Sequence, residues 1–223
     1  HCHGQRLIPI QALLAGGAAV LAYAPFDFWP LMLLALAWLF RVALTSNPRI
    51  AAQAGFFFGL GLFAGGVHWV FVSCYRFGNM GVLLSSLTTL LLVAYLALYP
   101  AVFAWLAARF ERLDQCPAHS TGRPVRGIAV SLMVLPALWV GLEWTRGVLF
   151  TGFPWLSVGY SQVDGPLAGI APLAGVFGIS WLLAFAAALL AMIAVKGRQG
   201  VLPAGGGVAA LAALVVVFPA GKL

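Results

Sequence analysis

Glu143 and Arg146 stand three residues apart in Trp139-Val140-Gly141-Leu142-Glu143-Trp144-Thr145-Arg146-Gly147, inside a stretch, Ile128 to Phe150, that is otherwise apolar enough to cross a membrane. At this spacing they are neighbours on one helix face and can neutralise each other. Ionisable groups in a spanning segment are costly, so each marks a functional site with its partner beside it, or an ion pair tying the helix to the loop that follows. That loop runs Phe150-Thr151-Gly152-Phe153-Pro154-Trp155-Leu156-Ser157-Val158-Gly159-Tyr160-Ser161-Gln162-Val163-Asp164-Gly165-Pro166. Its prolines and glycines break a regular helix, and Phe150, Phe153, Trp155 and Tyr160 are aromatic types that favour headgroup depth. An irregular segment this long, aromatic and polar at once, fits contact with lipid or a partner as well as an ordinary aromatic belt.

A second group comprises His68 and Trp69, then Cys74, Tyr75 and Arg76. Histidine beside tryptophan at a membrane boundary reads as an interfacial anchor, and its isolation argues against a metal site. Cys74 needs a base to become a nucleophile, yet His68 lies about 240° around the helix from it. Cys2, Cys74 and Cys116 show neither metal-ligand spacing nor a disulfide framework, so no metal, cofactor or catalytic thiol is assigned. Nucleophile-elbow, zincin, P-loop and dinucleotide motifs are missing from the sequence. Titratable groups in the apolar segments are too few for a proton relay, which disfavours an ion-coupled transporter.

The elements that carry these residues follow from the charge map. Of 223 residues 63% are hydrophobic and 8% charged, which excludes both a water-facing surface and a disordered chain. A bilayer core of about 30 Å needs roughly 20 apolar helical residues. Uncharged runs of 26, 32, 31 and 23 residues separate Arg49 from Arg76, Arg76 from Arg109, Asp164 from Lys196 and Arg198 from Lys222. With two shorter runs at the N-terminus, split by the turn Ala24-Pro25-Phe26-Asp27-Phe28-Trp29-Pro30, and the segment holding Glu143, the fold class is an all-α polytopic membrane bundle. About seven helices are expected, roughly over 7–24, 30–44, 51–73, 81–108, 128–149, 167–195 and 201–219.

Orientation follows from the basic residues, nine of which fall in loops on the N-terminal side of the membrane against three on the other. An inside N-terminus and an outside C-terminus result, and the net charge of +7 becomes a topology signal with no nucleic-acid partner implied. Ala22-Tyr23-Ala24 resembles a signal cleavage site, but the apolar run before it is long and Pro25 would follow the cut, so the first helix is expected to be retained. Glu111 to Arg126 is expected to be a solvated cytoplasmic connector. The third helix carries Gly55, Gly59, Gly61 and Gly65, small residues four apart that admit a second backbone or, alternatively, a lipid chain.

Five segments together resemble the membrane half of the bacterial apolipoprotein N-acyltransferase family. They are Ala24 to Pro30, His68-Trp69-Val70-Phe71-Val72-Ser73, Ala94-Tyr95-Leu96-Ala97-Leu98-Tyr99-Pro100, Leu142-Glu143-Trp144-Thr145-Arg146-Gly147, and Thr151 to Gln162. The resemblance extends in order from about Leu7 to Val195, and the E-W-x-R-G run followed by T-G-F-P-W is its most specific part.

The resemblance implies a multi-pass inner-membrane enzyme that moves an acyl chain from a phospholipid donor to the α-amine of a diacylglyceryl-cysteine lipoprotein. It implies a Glu-Lys-Cys triad in a nitrilase-like domain after the seventh helix. No triad position carries over to these residues, so this polypeptide alone is expected to be inactive. Within that frame Arg76 and Arg146 would meet phosphate, Glu143 would pair with Arg146, and Trp69, Phe153, Trp155 and Tyr160 would line the lipid entrance. The alternative is an anchor or assembly module for another lipid-linked enzyme, such as a polyprenol-phosphate mannose synthase. An uncoupled channel is a weaker alternative for want of inward polar residues.

Overall fold

The computed structural model describes residues 2–114 and 124–197, and the predicted helix over 201–219 lies outside them, as does Cys116. Among the described residues all regular structure is helical. Seven α-helices follow in chain order: α1 (Cys2–Ala19), α2 (Pro30–Thr45), α3 (Pro48–Gly66), α4 (Trp69–Arg76), α5 (Val82–Asp114), α6 (Pro124–Val148) and α7 (Ala171–Lys196). Short 3-10 turns join α1 to the proline turn and fill the α6–α7 connection at Leu149–Thr151, Val158–Gln162 and Ala168–Ile170.

Local sequence explains the starts. Pro30 and Pro48 occupy first-turn positions, where the missing N–H has no helical partner to lose, and the Asn47 side chain accepts from Ile50 N at 2.9 Å. Three helical stretches are long and apolar enough to cross a membrane: Val82–Leu113, Val130–Thr151 and Ala168–Val195. Pro48–Gly66 with Trp69–Arg76 makes a fourth if the pair is counted as one bent span, and Leu7–Ala22 and Pro30–Thr45 are shorter apolar helices.

Three expectations change. The helix expected over 51–73 is two helices bent by 52°, because the chain leaves α3 after Gly65-Gly66 and the His68 ring turns back to bond the Gly65 carbonyl at 2.8 Å. The connector expected over 111–126 is shorter: helix α5 continues to Asp114, α6 begins at Pro124, and Glu111 is buried, accepting from Ser131 Oγ at 3.4 Å. Glycine, finally, interrupts the helix expected over 167–195, since Gly175 inside α7 has φ +62.

Between lipid-embedded helices no hydrophobic drive favours association over lipid contact, so close backbone approach has to hold the bundle. Helix α3 is the centre of this packing. A Cβ at Gly55 would overlap the Pro100 carbonyl of α5 and one at Gly59 would meet Ala97 Cα at 2.6 Å. On its other side a Cβ at Gly61 would overlap the Leu13 carbonyl of α1, and one at Gly65 would meet Val20 Cγ2 at 2.8 Å. The two small-residue pairs therefore seat α3 between two neighbours, which answers the choice between helix packing and a lipid groove in favour of packing. Beside this, α2 packs on α7 and α7 on α6, with Ala184, Ala187, Ala188 and Ala191 buried on α7. Phe40, Phe103 and Trp139 fill the space between α2, α5 and α6, their ring centroids 4.7 to 6.0 Å apart.

Candidate functional site

Helix α6 ends at Val148, and the next residues reverse the chain through the left-handed region: Phe150 at φ +52, Thr151 at φ +73 and Gly152 at φ +83. Two such non-glycine residues in a row are strained, a condition that persists only where the surroundings enforce it. The reversal is closed by Phe153 N donating to the Arg146 carbonyl at 2.8 Å. A Cβ at Gly152 would overlap the Gly147 carbonyl, so Gly152 is needed for its dihedrals and for this close approach. Gly152→Ala is expected to cost at least about 1 kcal/mol, whereas Gly147→Ala, inside α6 with open space around it, is expected to be neutral or slightly stabilising. Thermal unfolding of the two variants in detergent checks the contrast.

The reversed segment folds over the end of α6, and both charges of that helix reach into it. Arg146, 3% exposed, donates from Nη1 to the Trp155 carbonyl at 2.7 Å and from Nη2 to Ser157 Oγ at 3.2 Å. Its guanidinium also lies 5.2 Å from the Phe63 ring centroid, bringing α3 into the site. Glu143, 6% exposed, accepts from Val158 N through Oε1 at 2.7 Å. The expected pairing of Glu143 with Arg146 thus takes another form. The two charges interact electrostatically, yet each directs its hydrogen bonds to the loop. Ser180 and Trp139 flank the carboxylate, while Glu143 Oε2 and Trp139 Nε1 make no hydrogen bond among the described residues.

Other elements complete the hold. The Tyr23 hydroxyl, just after α1, donates to the Leu156 carbonyl at 2.9 Å, where Leu156 has φ +59. Ser157 Oγ donates to the Pro154 carbonyl at 3.0 Å, and Ser180 Oγ on α7 accepts from Gly159 N at 2.8 Å. Leu156 itself packs on Gly66, where a Cβ would strike its side chain. The loop is therefore tied to the ends of α1, α3 and α6 and to α7, so these ends lie on one side of the bundle.

Of the residues singled out in the sequence, Glu143, Arg146, Trp69, Phe153 and Trp155 come together here. Trp155 bridges the group, its ring centroid 6.1 Å from Trp69 and 5.2 Å from Phe153. Arg76 and Tyr160 do not join them. Arg76 is exposed at the last turn of α4. Tyr160 borders a separate, open cavity of about 340 Å³ with Gln162, Val163, Gly175 and Val176. Sequence reasoning did not single out Tyr23, Ser157 or Ser180. The available signals were an isolated serine in the apolar run of α7 and a tyrosine directly before the proline turn. Beneath the loop a small recess of about 20 Å³ is bordered by Glu143, Arg146, Tyr99 and Leu156, and otherwise by apolar side chains of α3, α5 and α6. The arrangement is a rigid aromatic platform over an apolar recess, with buried charges organising it.

A family model described as the apolipoprotein N-acyltransferase N-terminal domain matches residues 15–189. The chain belongs to that family. Proteins named apolipoprotein N-acyltransferase are similar along most of it. One from Methylococcus capsulatus is 46% identical over 191 residues, covering 86% of this chain and 36% of the relative. Those from Pseudomonas syringae pv. tomato and Azotobacter vinelandii are 42% and 44% identical over 181 residues, covering 81% of this chain and 34% and 33% of theirs. The chain spans about a third of the length of these curated relatives. Every residue of the polar cluster, from Tyr23 to Ser180, falls within the matched range of the apolipoprotein N-acyltransferase N-terminal domain.

Proposed function

We propose that this chain is the membrane part of a phospholipid:apolipoprotein N-acyltransferase, and that it holds a phospholipid donor and a diacylated lipoprotein acceptor in place for acyl transfer. The observation that carries this reading is the loop between α6 and α7, clamped by Arg146 and Glu143 so that Trp69, Phe153 and Trp155 form one aromatic surface above an apolar recess. Aromatic rings at headgroup depth and exposed apolar side chains along the helices beneath them suit a lipid with its head at the boundary and its chain below. Fixing both lipids at this surface supplies proximity to a reactive group carried by a nitrilase-like domain that follows the membrane part.

In this reading Arg146 and Glu143 are positioning residues acting through the loop, and exposed Arg76 meets lipid phosphate at the rim. Tyr160, at the second cavity, contacts the other lipid. In this reading the N-terminus lies in the cytoplasm and Leu223 outside, in the bacterial inner membrane, supported by the nine-to-three partition of basic residues. Reporter fusions after Gly197 and after Leu223 are expected to report the inside and the outside respectively. The reverse pattern would contradict the orientation.

The functional test uses the full-length enzyme with phospholipid donor and diacylated lipopeptide acceptor. Trp155→Ala is expected to raise KM for phospholipid about tenfold, the scale of one lost aromatic contact plus its burial. Unchanged kinetics for both substrates would remove the aromatic surface from the function.

A further inference from the structure

Helix α3 by itself is long enough to reach the far side of a bilayer core. From Arg49 to Gly66 it rises about 26 Å at 1.5 Å per residue. Its partner α5 gives the same height: Gly55 lies against Pro100 and Gly59 against Ala97, which sets Gly66 level with Leu90, about 28 Å from Arg109. Arg49 and Arg109 are both exposed and mark the near boundary, so the bend after Gly66 falls at the far edge of a core about 30 Å thick. There α4 turns off by 52°, and its 8 residues, about 12 Å long, gain only about 7 Å along the direction of α3. One headgroup layer is roughly 5 to 7 Å thick.

The residues of α4 sort accordingly. Trp69, Val72, Tyr75 and Arg76 are exposed and fall within about 120° of one another around the helix, while Val70, Phe71, Ser73 and Cys74 on the other side are half-buried. Phe77, directly after the helix, is 86% exposed, yet its backbone is fixed: Phe77 N and Gly78 N both donate to the Ser73 carbonyl at 3.0 Å, and Met80 N donates to the Cys74 carbonyl at 3.2 Å. An ordered aromatic ring held out of the fold beside a tryptophan, a tyrosine and an arginine matches the membrane boundary, where rings enter the glycerol level and a cation meets phosphate. We propose that α4 is no part of a crossing but an interfacial anchor, lying in the headgroup layer with Phe77 dipping to the ester level and Arg76 on phosphate. Trp69, at the start of the anchor, stands against Trp155, so the anchor sets the depth of the aromatic loop. That consequence rests on the proposed function; the position of α4 in the bilayer does not.

The test measures depth in full-length protein reconstituted into vesicles of phosphatidylethanolamine and phosphatidylglycerol. Phe77→Cys carries a bimane label, with identically treated unsubstituted protein as the background. Its fluorescence is quenched by phospholipids that bear a nitroxide near the top of the acyl chain or near its end, and by aqueous iodide. The shallow nitroxide is expected to quench at least about twofold more than the deep one, and iodide only weakly. Val72→Cys is expected to behave alike and decides the matter if Phe77→Cys fails to fold, while Leu98→Cys, exposed in the middle of α5, is expected to show the reverse order. Stronger quenching by the deep nitroxide at Phe77 would make α4 the continuation of α3 across the membrane. Quenching by iodide alone would place α4 in water, and protection from all three quenchers would show it covered by the rest of the protein. Each of these three results overturns the proposal. A shallow position found in protein whose unsubstituted form shows no acyl transfer would overturn the proposed function and leave the anchor standing.

Discussion

Replacing Arg146 by alanine in the full-length enzyme is expected to lower acyl transfer at least about tenfold and to destabilise the membrane domain by about 3–5 kcal/mol, the range for breaking a buried charge pair from one side. The reason lies in what the guanidinium holds. It donates to the Trp155 carbonyl and to Ser157 Oγ, and it is the cation beside a carboxylate that is 6% exposed. Removing it frees the loop from α6 and leaves Glu143 buried without its counter-charge. Glu143→Leu alone leaves the opposite imbalance. Removing both charges as Glu143→Leu with Arg146→Leu is expected to cost clearly less stability than the sum of the single changes, because the residual buried charge disappears. Turnover is not expected to recover in the double variant, since Val158 N, Trp155 O and Ser157 Oγ have lost their partners. Melting temperatures and kcat/KM of the three variants check this, and strictly additive stabilities would show that the two charges do not act as a pair. Arg76→Ala, on the exposed last turn of α4, is expected to change stability by less than about 0.5 kcal/mol and to act on KM for phospholipid alone.

The second large effect concerns the bundle. Gly55→Leu and Gly59→Leu are each expected to destabilise the domain by about 3 kcal/mol, at the upper end for inserting volume into a packed interior. Neither site has a flexible neighbour that can yield. Gly55 faces the Pro100 carbonyl and Ala101 Cα, and Gly59 faces Ala97 Cα, so the new side chain must push α3 and α5 apart along their backbones. That separation also moves Phe63 and Tyr99, which border the recess from these two helices. Gly17→Leu and Gly141→Leu provide the comparison, for nothing lies within 4 Å of a Cβ at either position. Monodisperse yield after detergent extraction is expected to fall for the first two and to hold for the second two. Equal behaviour of all four would mean that the glycines do not carry the helix contact.

Much of the architecture was legible because a bilayer simplifies the code. Long uncharged runs can only be helices there, and the intervals flanked by Arg49, Arg76, Arg109, Asp164 and Lys196 contain most of the observed helices. The family was legible from the Glu-Trp-Thr-Arg-Gly run and the Thr-Gly-Phe-Pro-Trp run after it. The break between α3 and α4 was hidden, because hydropathy continues through Gly66, Val67 and His68 while the backbone turns by 52°. The extent of α5 was hidden for the opposite reason. Glu111 looked like solvated loop, although its buried carboxylate bonds Ser131 across to α6.

At the site, spacing identified Glu143 and Arg146 as partners on one helix face, but spacing along a helix says nothing of a loop that folds back over it. Their hydrogen-bond partners are the backbone of Trp155 and Val158 and the hydroxyl of Ser157, contacts made possible by left-handed residues at Phe150, Thr151 and Leu156. Only Gly152 advertised such a turn in the sequence. Tyr23 and Ser180 were invisible as site residues because they reach the loop from the turn after α1 and from α7, more than a hundred and about twenty positions away respectively.

The claim that the buried charges of α6 hold the aromatic loop in its working shape is tested most directly by amide hydrogen exchange on the full-length protein, wild type against Arg146→Ala. Exchange is expected to quicken at Phe153 to Tyr160, including the Val158 amide that donates to Glu143, while α3 and α5 keep their protection. Undiminished protection of Val158 and its neighbours in the variant would contradict the account, since the loop would then keep its shape without the cation proposed to fasten it.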